Sequence, residues 1–136
     1  MDVIFYDADN VDVINSFRLF LTHVKAINSK EILLFSPTKT NSLQIEWIKS
    51  TLGKNHFDKL MSAEAKISYS NFTIHYRSSA TLKKRRIYAQ NLTIMCYYPD
   101  DKEIDQLREL KPSILFIYGK LAHIPETAMD YELGGN

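Results

Sequence analysis

The sequence predicts an α/β fold, a small three-layer domain of Rossmann-like or flavodoxin-like type with about five mostly parallel strands. Three observations carry this expectation. Short apolar runs recur along the chain and each is stopped by a polar or turn-forming residue. Stretches with apolar residues at helical spacing separate those runs. The length, 136 residues, suits one domain over 1–136. Strands that alternate with helices imply a parallel sheet covered on both faces.

Taken in order, Val3 to Tyr6 is an apolar run ending at Asp7 and reads as a buried strand. Val13, Ile14, Phe17, Phe20, Leu21, Val24 and Ile27 then trace a helical stripe. Asp9, Asn10 and Asp12 precede it, where capping and anionic residues belong. Ile32 to Phe35 is a second strand, stopped by Ser36-Pro37. A second helix covers Ser42 to Leu52, Gly53 breaks it, and Phe57 to Leu60 reads as a further helical turn. Ile67 to Arg77 partly alternates and suggests an exposed or edge strand. Ala80 to Ala89 reads as a basic helix preceded by Ser78-Ser79. Leu92 to Tyr98 is a strand ending at Pro99, and Asp100 to Leu110 a short helix with an acidic first turn. Ile114 to Tyr118 is the last clear strand, followed by Gly119 and a tail with room for one more helical turn.

Composition excludes several classes. Apolar residues make up 45% and charged residues 24%, which rules out disorder and collagen-like structure. The longest apolar runs are far shorter than the ~20 residues that span a bilayer. The N-terminus carries no basic leader or extended apolar core of a secretory signal, so no membrane partner is expected. A single cysteine, Cys96, cannot form an internal disulfide, which points to a cytoplasmic setting. Seventeen Lys and Arg against sixteen Asp and Glu leave a charge of +1, which argues neither for nor against nucleic acid. The charge is unevenly placed: residues 77–86 carry five cations and no anion, whereas Glu126, Asp130 and Glu132 mark a tail without Lys or Arg. Such polarity would let copies dock head to tail as a homo-oligomer, or lay the tail over the basic segment.

In open α/β sheets ligands bind beyond the carboxyl ends of the strands, where the strand order reverses. The polar clusters of this chain fall at those ends: Asp7-Ala8-Asp9-Asn10, Ser36 to Thr40, Arg77-Ser78-Ser79, Asp100-Asp101, and Gly119-Lys120 with His123 after them. Two carboxylates at one strand end can share a hard cation, which takes several oxygen ligands. Asp7, Asp9, Asp100 and Asp101 are therefore the candidate ligands of Mg²⁺ or Mn²⁺. A shared ion requires the Asp7 carboxylate and that of Asp100 or Asp101 to meet on adjacent strands. Arg77, Ser78, Ser79, Lys83 and Arg86 are the candidate phosphate-binding residues, with Tyr69, Tyr76 or Tyr88 for base stacking. The competing reading of every cluster is structural, namely helix caps and a solvated basic face. No Gly-x-Gly-x-x-Gly, Walker loop, Gly-x-Ser-x-Gly elbow or zinc-spaced histidine set occurs.

The run Val3-Ile-Phe-Tyr-Asp7-Ala-Asp9-Asn10 resembles the first motif of NYN/PIN-like ribonucleases, an apolar strand followed by Asp-x-Asp/Glu-Asn. The resemblance implies a Rossmann-like nuclease whose divalent metal is held by acids from several strand ends, with Asp7 first and Asp100 or Asp101 in a later slot. In place of the family's Ser-x-Asp-x-Asp-Phe signature stands Tyr97-Tyr-Pro-Asp-Asp101, and the segment of its middle acid reads Leu82-Lys-Lys-Arg-Arg86. Asp7-x-Asp9-x-Val11 is also similar to the first motif of haloacid-dehalogenase-like phosphatases. The Ser78 to Lys83 turn is similar to the Ser/Thr-rich turn of CARF domains, which sense cyclic oligonucleotides. The expectation from sequence is thus a binder of a phosphate-containing ligand, RNA or a nucleotide, related to a degenerate metal-dependent nuclease. A non-catalytic interaction or regulatory module is the alternative.

Overall fold

The computed structural model describes residues 2–37, 42–85, 87, 91–120 and 132–133. It is an α/β protein with a mostly parallel sheet between two helical layers. The elements run β1 (Asp2–Asp7), α1 (Val13–Ala26), β2 (Glu31–Ser36), α2 (Ser42–Leu52), α3 (Lys54–Leu60), β3 (Lys66–Tyr69), β4 (Phe72–Ser78), α4 (Ser79–Leu82), β5 (Thr93–Tyr97), α5 (Asp101–Arg108), β6 (Ile114–Gly119) and β7 (Glu132–Leu133). The strands stand in the order β3-β4-β2-β5-β6-β1-β7. All neighbours are parallel except β3, which pairs antiparallel with β4.

The topology places the helices. From β1 to β2 to β4 the chain moves toward one edge of the sheet, and from β4 to β5 to β6 it moves back. Right-handed crossovers then put α1, α2 and α3 on one face and α4 and α5 on the other. Side-chain alternation agrees. Ile32 and Leu34 of β2 pack with Phe17, Phe20 and Val24 of α1 and with Trp47 and Ile48 of α2. Leu33 and Phe35 pack with Leu82 of α4 and with Ile104 and Leu107 of α5. All of β5 is buried, as a strand covered on both faces must be. Burying one such side chain is worth roughly 1.5–3 kcal/mol, so the two layers supply most of the stability.

Local chemistry sets the helix ends. Asp12 caps α1 by accepting from the Asn15 N–H at 2.8 Å, and Asn28 follows the helix at φ 56°. Asp100 and Glu103 close a capping box on α5: Asp100 Oδ1 accepts the Glu103 N–H at 2.8 Å, and Glu103 Oε1 accepts the Asp100 N–H at 2.9 Å.

Three segments differ from the sequence expectation. The stretch read as one edge strand is a hairpin: only β3 lies at the edge, and β4 lies inside the sheet beside β2. The turn between them holds Ser70 at φ 56°, a conformation the residue type does not announce. The basic helix expected over Ala80 to Ala89 stops after Leu82. The Arg77 guanidinium takes the Arg85 carbonyl at 2.7 Å, and Ile87 turns into the core under α5. In the tail, Glu132–Leu133 pairs with β1 as a strand.

Candidate functional site

The chain leaves β2 toward β4 and leaves its neighbour β5 toward β6, so the two connections diverge above the carboxyl ends of these strands. This is the switch point at which α/β sheets hold ligands. Two polar regions border it.

On the β4 side the polar side chains are bound to one another. Arg77, only 6% exposed, gives Nε to the Arg85 carbonyl and Nη1 to the carbonyls of Tyr76 at 2.7 Å and Ala65 at 3.5 Å. Burial, then the nearby Arg85 charge, lowers its affinity for the proton. Ser78 and Thr81 form the capping box of α4, whose hydroxyls lie 3.3 Å apart. The Ser79 hydroxyl donates to Glu103 Oε2, tying α4 to α5 across their first turns. Ser36 shares a 2.5 Å hydrogen bond with the Tyr76 hydroxyl beneath. Lys83 is exposed in the turn after α4. Arg86, Tyr88, the Thr38 to Thr40 loop and His123 lie outside the described residues.

On the β6 and β1 side the groups are more exposed. Asp7 ends β1 opposite Gly119 of β6, and the Ala8 N–H donates to the Gly119 carbonyl at 2.8 Å. The Asp7 carboxylate organises its own loop, accepting from the Asp9 N–H at 3.0 Å and from Asn10 Nδ2 at 3.2 Å. Asp9 and Asn10 are exposed, as is Lys120 beyond β6. Tyr98, the residue after β5, is 42% exposed and sits at φ 52°. A bulky residue in the left-handed region is rare, and its cost is met by surrounding contacts. Here its N–H donates to the Tyr118 carbonyl at 2.8 Å, and its ring stands edge-on to Tyr118 at 5.6 Å. It also reaches over Gly119, where a Cβ would lie 3.7 Å from the Tyr98 ring. The Tyr118 hydroxyl donates to the Val11 carbonyl at 2.8 Å, linking this ring to the Asp7 loop. Burial, then Tyr98 and Asp12, raise the Tyr118 phenol above its ordinary range.

The acids expected to share an ion stand on strands that are not adjacent, because β6 separates β1 from β5. Two strand spacings amount to about 10 Å, against the ~3–4 Å between oxygens on one ion. Asp100 in addition turns its carboxylate into the α5 cap, and Asp101 is the first residue of that helix. Asp7 and Asp9 are brought together. Among the described residues no group of three His, Cys, Asp or Glu side chains is placed to hold a metal. No helix among them is long and apolar enough to cross a membrane. Tyr98 is the site residue that sequence reasoning passes over. It reads there as the end of a strand, and its left-handed backbone follows from packing over Gly119.

No family model, no curated protein and no solved structure matches this chain.

Proposed function

We propose that the protein binds a phosphate-containing ligand of nucleotide type, a mononucleotide or single-stranded RNA, on the rim above β5, β6 and β1. The observation that carries this reading is Tyr98, an exposed aromatic ring at a left-handed backbone position beside the switch point. A base stacks on such a ring irrespective of sequence, for roughly 1–3 kcal/mol per base. Two strands along the rim, after β1, the exposed Asp9 carboxylate and the Asn10 amide oxygen, whose Nδ2 already donates to Asp7, are acceptors for ribose hydroxyls. Lys120 follows β6 as the cation for a phosphate. The proposal is for binding, with no catalytic step. A divalent ion, Mg²⁺ or Mn²⁺, would find Asp7 and Asp9 on this loop, fewer carboxylates than metal-assisted phosphoryl transfer ordinarily uses.

The test is an amide NMR titration of the full chain with AMP, ADP and a short single-stranded RNA, with and without Mg²⁺. Saturable shifts at Asp9, Asn10, Tyr98 and Lys120 support the reading, and a Mg²⁺ requirement would extend it to metal-assisted binding. Shifts confined to Lys83 to Arg85, or no binding at ~50 mM salt, overturn it and favour an interaction module.

A further inference from the structure

At the opposite end of the sheet, where β2, β5 and β6 begin, lies a cavity of about 510 Å³. The strands between it and the ligand rim are five to six residues long. At about 3.3 Å per residue the two places are roughly 17–20 Å apart. The cavity is lined by Ile27, Asn28, Ser29, Lys30, Asn91 and Thr93, with Ser113 at its margin.

Its lining is rich in neutral hydrogen-bonding groups. Thr93 is 1% exposed and its hydroxyl lies 2.9 Å from that of Ser29, which also reaches the Glu31 carbonyl at 3.4 Å. These two buried hydroxyls satisfy each other within the wall, so the open polar side chains of the lining are those of Asn28 and Asn91. Asn28 and Asn91 stand at the lip, both left-handed at φ 56° and 57°, with no side-chain hydrogen bond to any described residue. Each amide both donates and accepts, which matches the dual character of an alcohol. Ile27, 43% exposed, adds an apolar wall. Among the described residues that line the cavity there is no carboxylate and one cation, Lys30, which is offset by the negative end of the α1 dipole, terminating here.

We propose that this cavity binds a neutral polyhydroxylated small molecule of monosaccharide size, independently of the rim above β5, β6 and β1. A site of this volume falls in the range of small-molecule pockets. Hydroxyls meet the asparagine amides, and the C–H face of the ring lies on Ile27.

The test titrates the full chain with D-glucose, D-mannose and D-ribose, and with D-glucose 6-phosphate as the anionic arm, followed by amide NMR. The expected result is saturable shifts at Asn28, Ser29, Lys30, Asn91 and Thr93 with at least one neutral sugar. Asn91→Gly, which removes the amide and keeps the left-handed backbone at φ 57°, then weakens that sugar by about fivefold, as does Asn28→Gly at φ 56°. Three results overturn the proposal: no shift at these amides with any neutral sugar, equal affinity in Asn91→Gly, or the phosphate ester binding at least tenfold more tightly than its parent sugar. The last outcome would make the cavity an anion site centred on Lys30.

Discussion

Two polar regions flank the same switch point and use their residues in opposite ways. Above β4, Arg77, Ser78 and Glu103 are buried, and together with the exposed Ser79 they spend their hydrogen bonds on backbone carbonyls and on neighbouring side chains. Above β6 and β1, Asp9, Asn10, Tyr98 and Lys120 are exposed, and only Asp7 and the Asn10 Nδ2 that donates to it are committed to the loop. Cations and hydroxyls gathered at a strand end are therefore no guide to a ligand by themselves. What separates a bracing group from an open one is whether its polar atoms already have partners.

Removing Arg77 should give the largest effect and would break the comparison if it did not. Arg77→Met strips donors from the carbonyls of Arg85, Tyr76 and Ala65, and we expect a loss of about 2–4 kcal/mol in urea unfolding. Nucleotide affinity under folding conditions should be unchanged. A stability loss below ~0.5 kcal/mol would mean that the guanidinium is not bracing the segment after α4.

Alkaline titration sharpens the same contrast from beneath. Burial pushes the Tyr6 phenol up to about 12, and burial also raises Tyr76, Tyr97 and Tyr118. Because these folded-state values exceed the unfolded value of ~10, the stability they contribute is full below pH ~10 and is lost as pH rises toward 12. Unfolding midpoints should be flat from pH 8 to 9.5 and fall steeply above pH ~10. A midpoint still flat at pH ~11.5 would show the phenols to be solvated.

The fold was legible because burial leaves a periodic trace. The α1 stripe, the fully buried β5 and the Ser42–Leu52 helix all stand where apolar spacing puts them. The basic helix failed because Leu82 and Ile87 both enter the core beneath α5, a spacing that a continuing helix does not serve, and because Arg77 claims the Arg85 carbonyl. At the site, Asp7, Asp9 and Asn10 were readable as a strand-end cluster. Their distance from Asp100 was not, because strand order is set by which faces the connections pack, and nothing in the local sequence states that β6 lies between. Tyr98 was invisible for a related reason: its backbone is fixed by Tyr118 and Gly119, both some twenty residues away.

The smallest expected effect is at Asp7. Asp7→Asn keeps an oxygen for the Asp9 N–H and loses the acceptor for Asn10 Nδ2, so thermal unfolding should report a loss of about 0.5–1 kcal/mol. Nucleotide affinity should fall by less than about threefold, since one exposed hydrogen bond is at stake. A loss of affinity of a hundredfold or more, seen only with Mg²⁺ present, would instead reveal Asp7 as the ligand of a bound ion.

The most direct measurement is the affinity of a labelled single-stranded RNA, by fluorescence anisotropy at one salt concentration for wild type, Tyr98→Asn and Lys83→Glu, with melting temperatures alongside. Asparagine tolerates the left-handed backbone, so Tyr98→Asn removes the ring without straining the fold. The open rim predicts that Tyr98→Asn weakens binding by about tenfold at an unchanged melting temperature. Lys83→Glu, on the braced side, should change affinity by no more than about threefold through long-range charge. Wild-type affinity in Tyr98→Asn, together with a large loss in Lys83→Glu, would contradict the account and move the ligand to the basic turn.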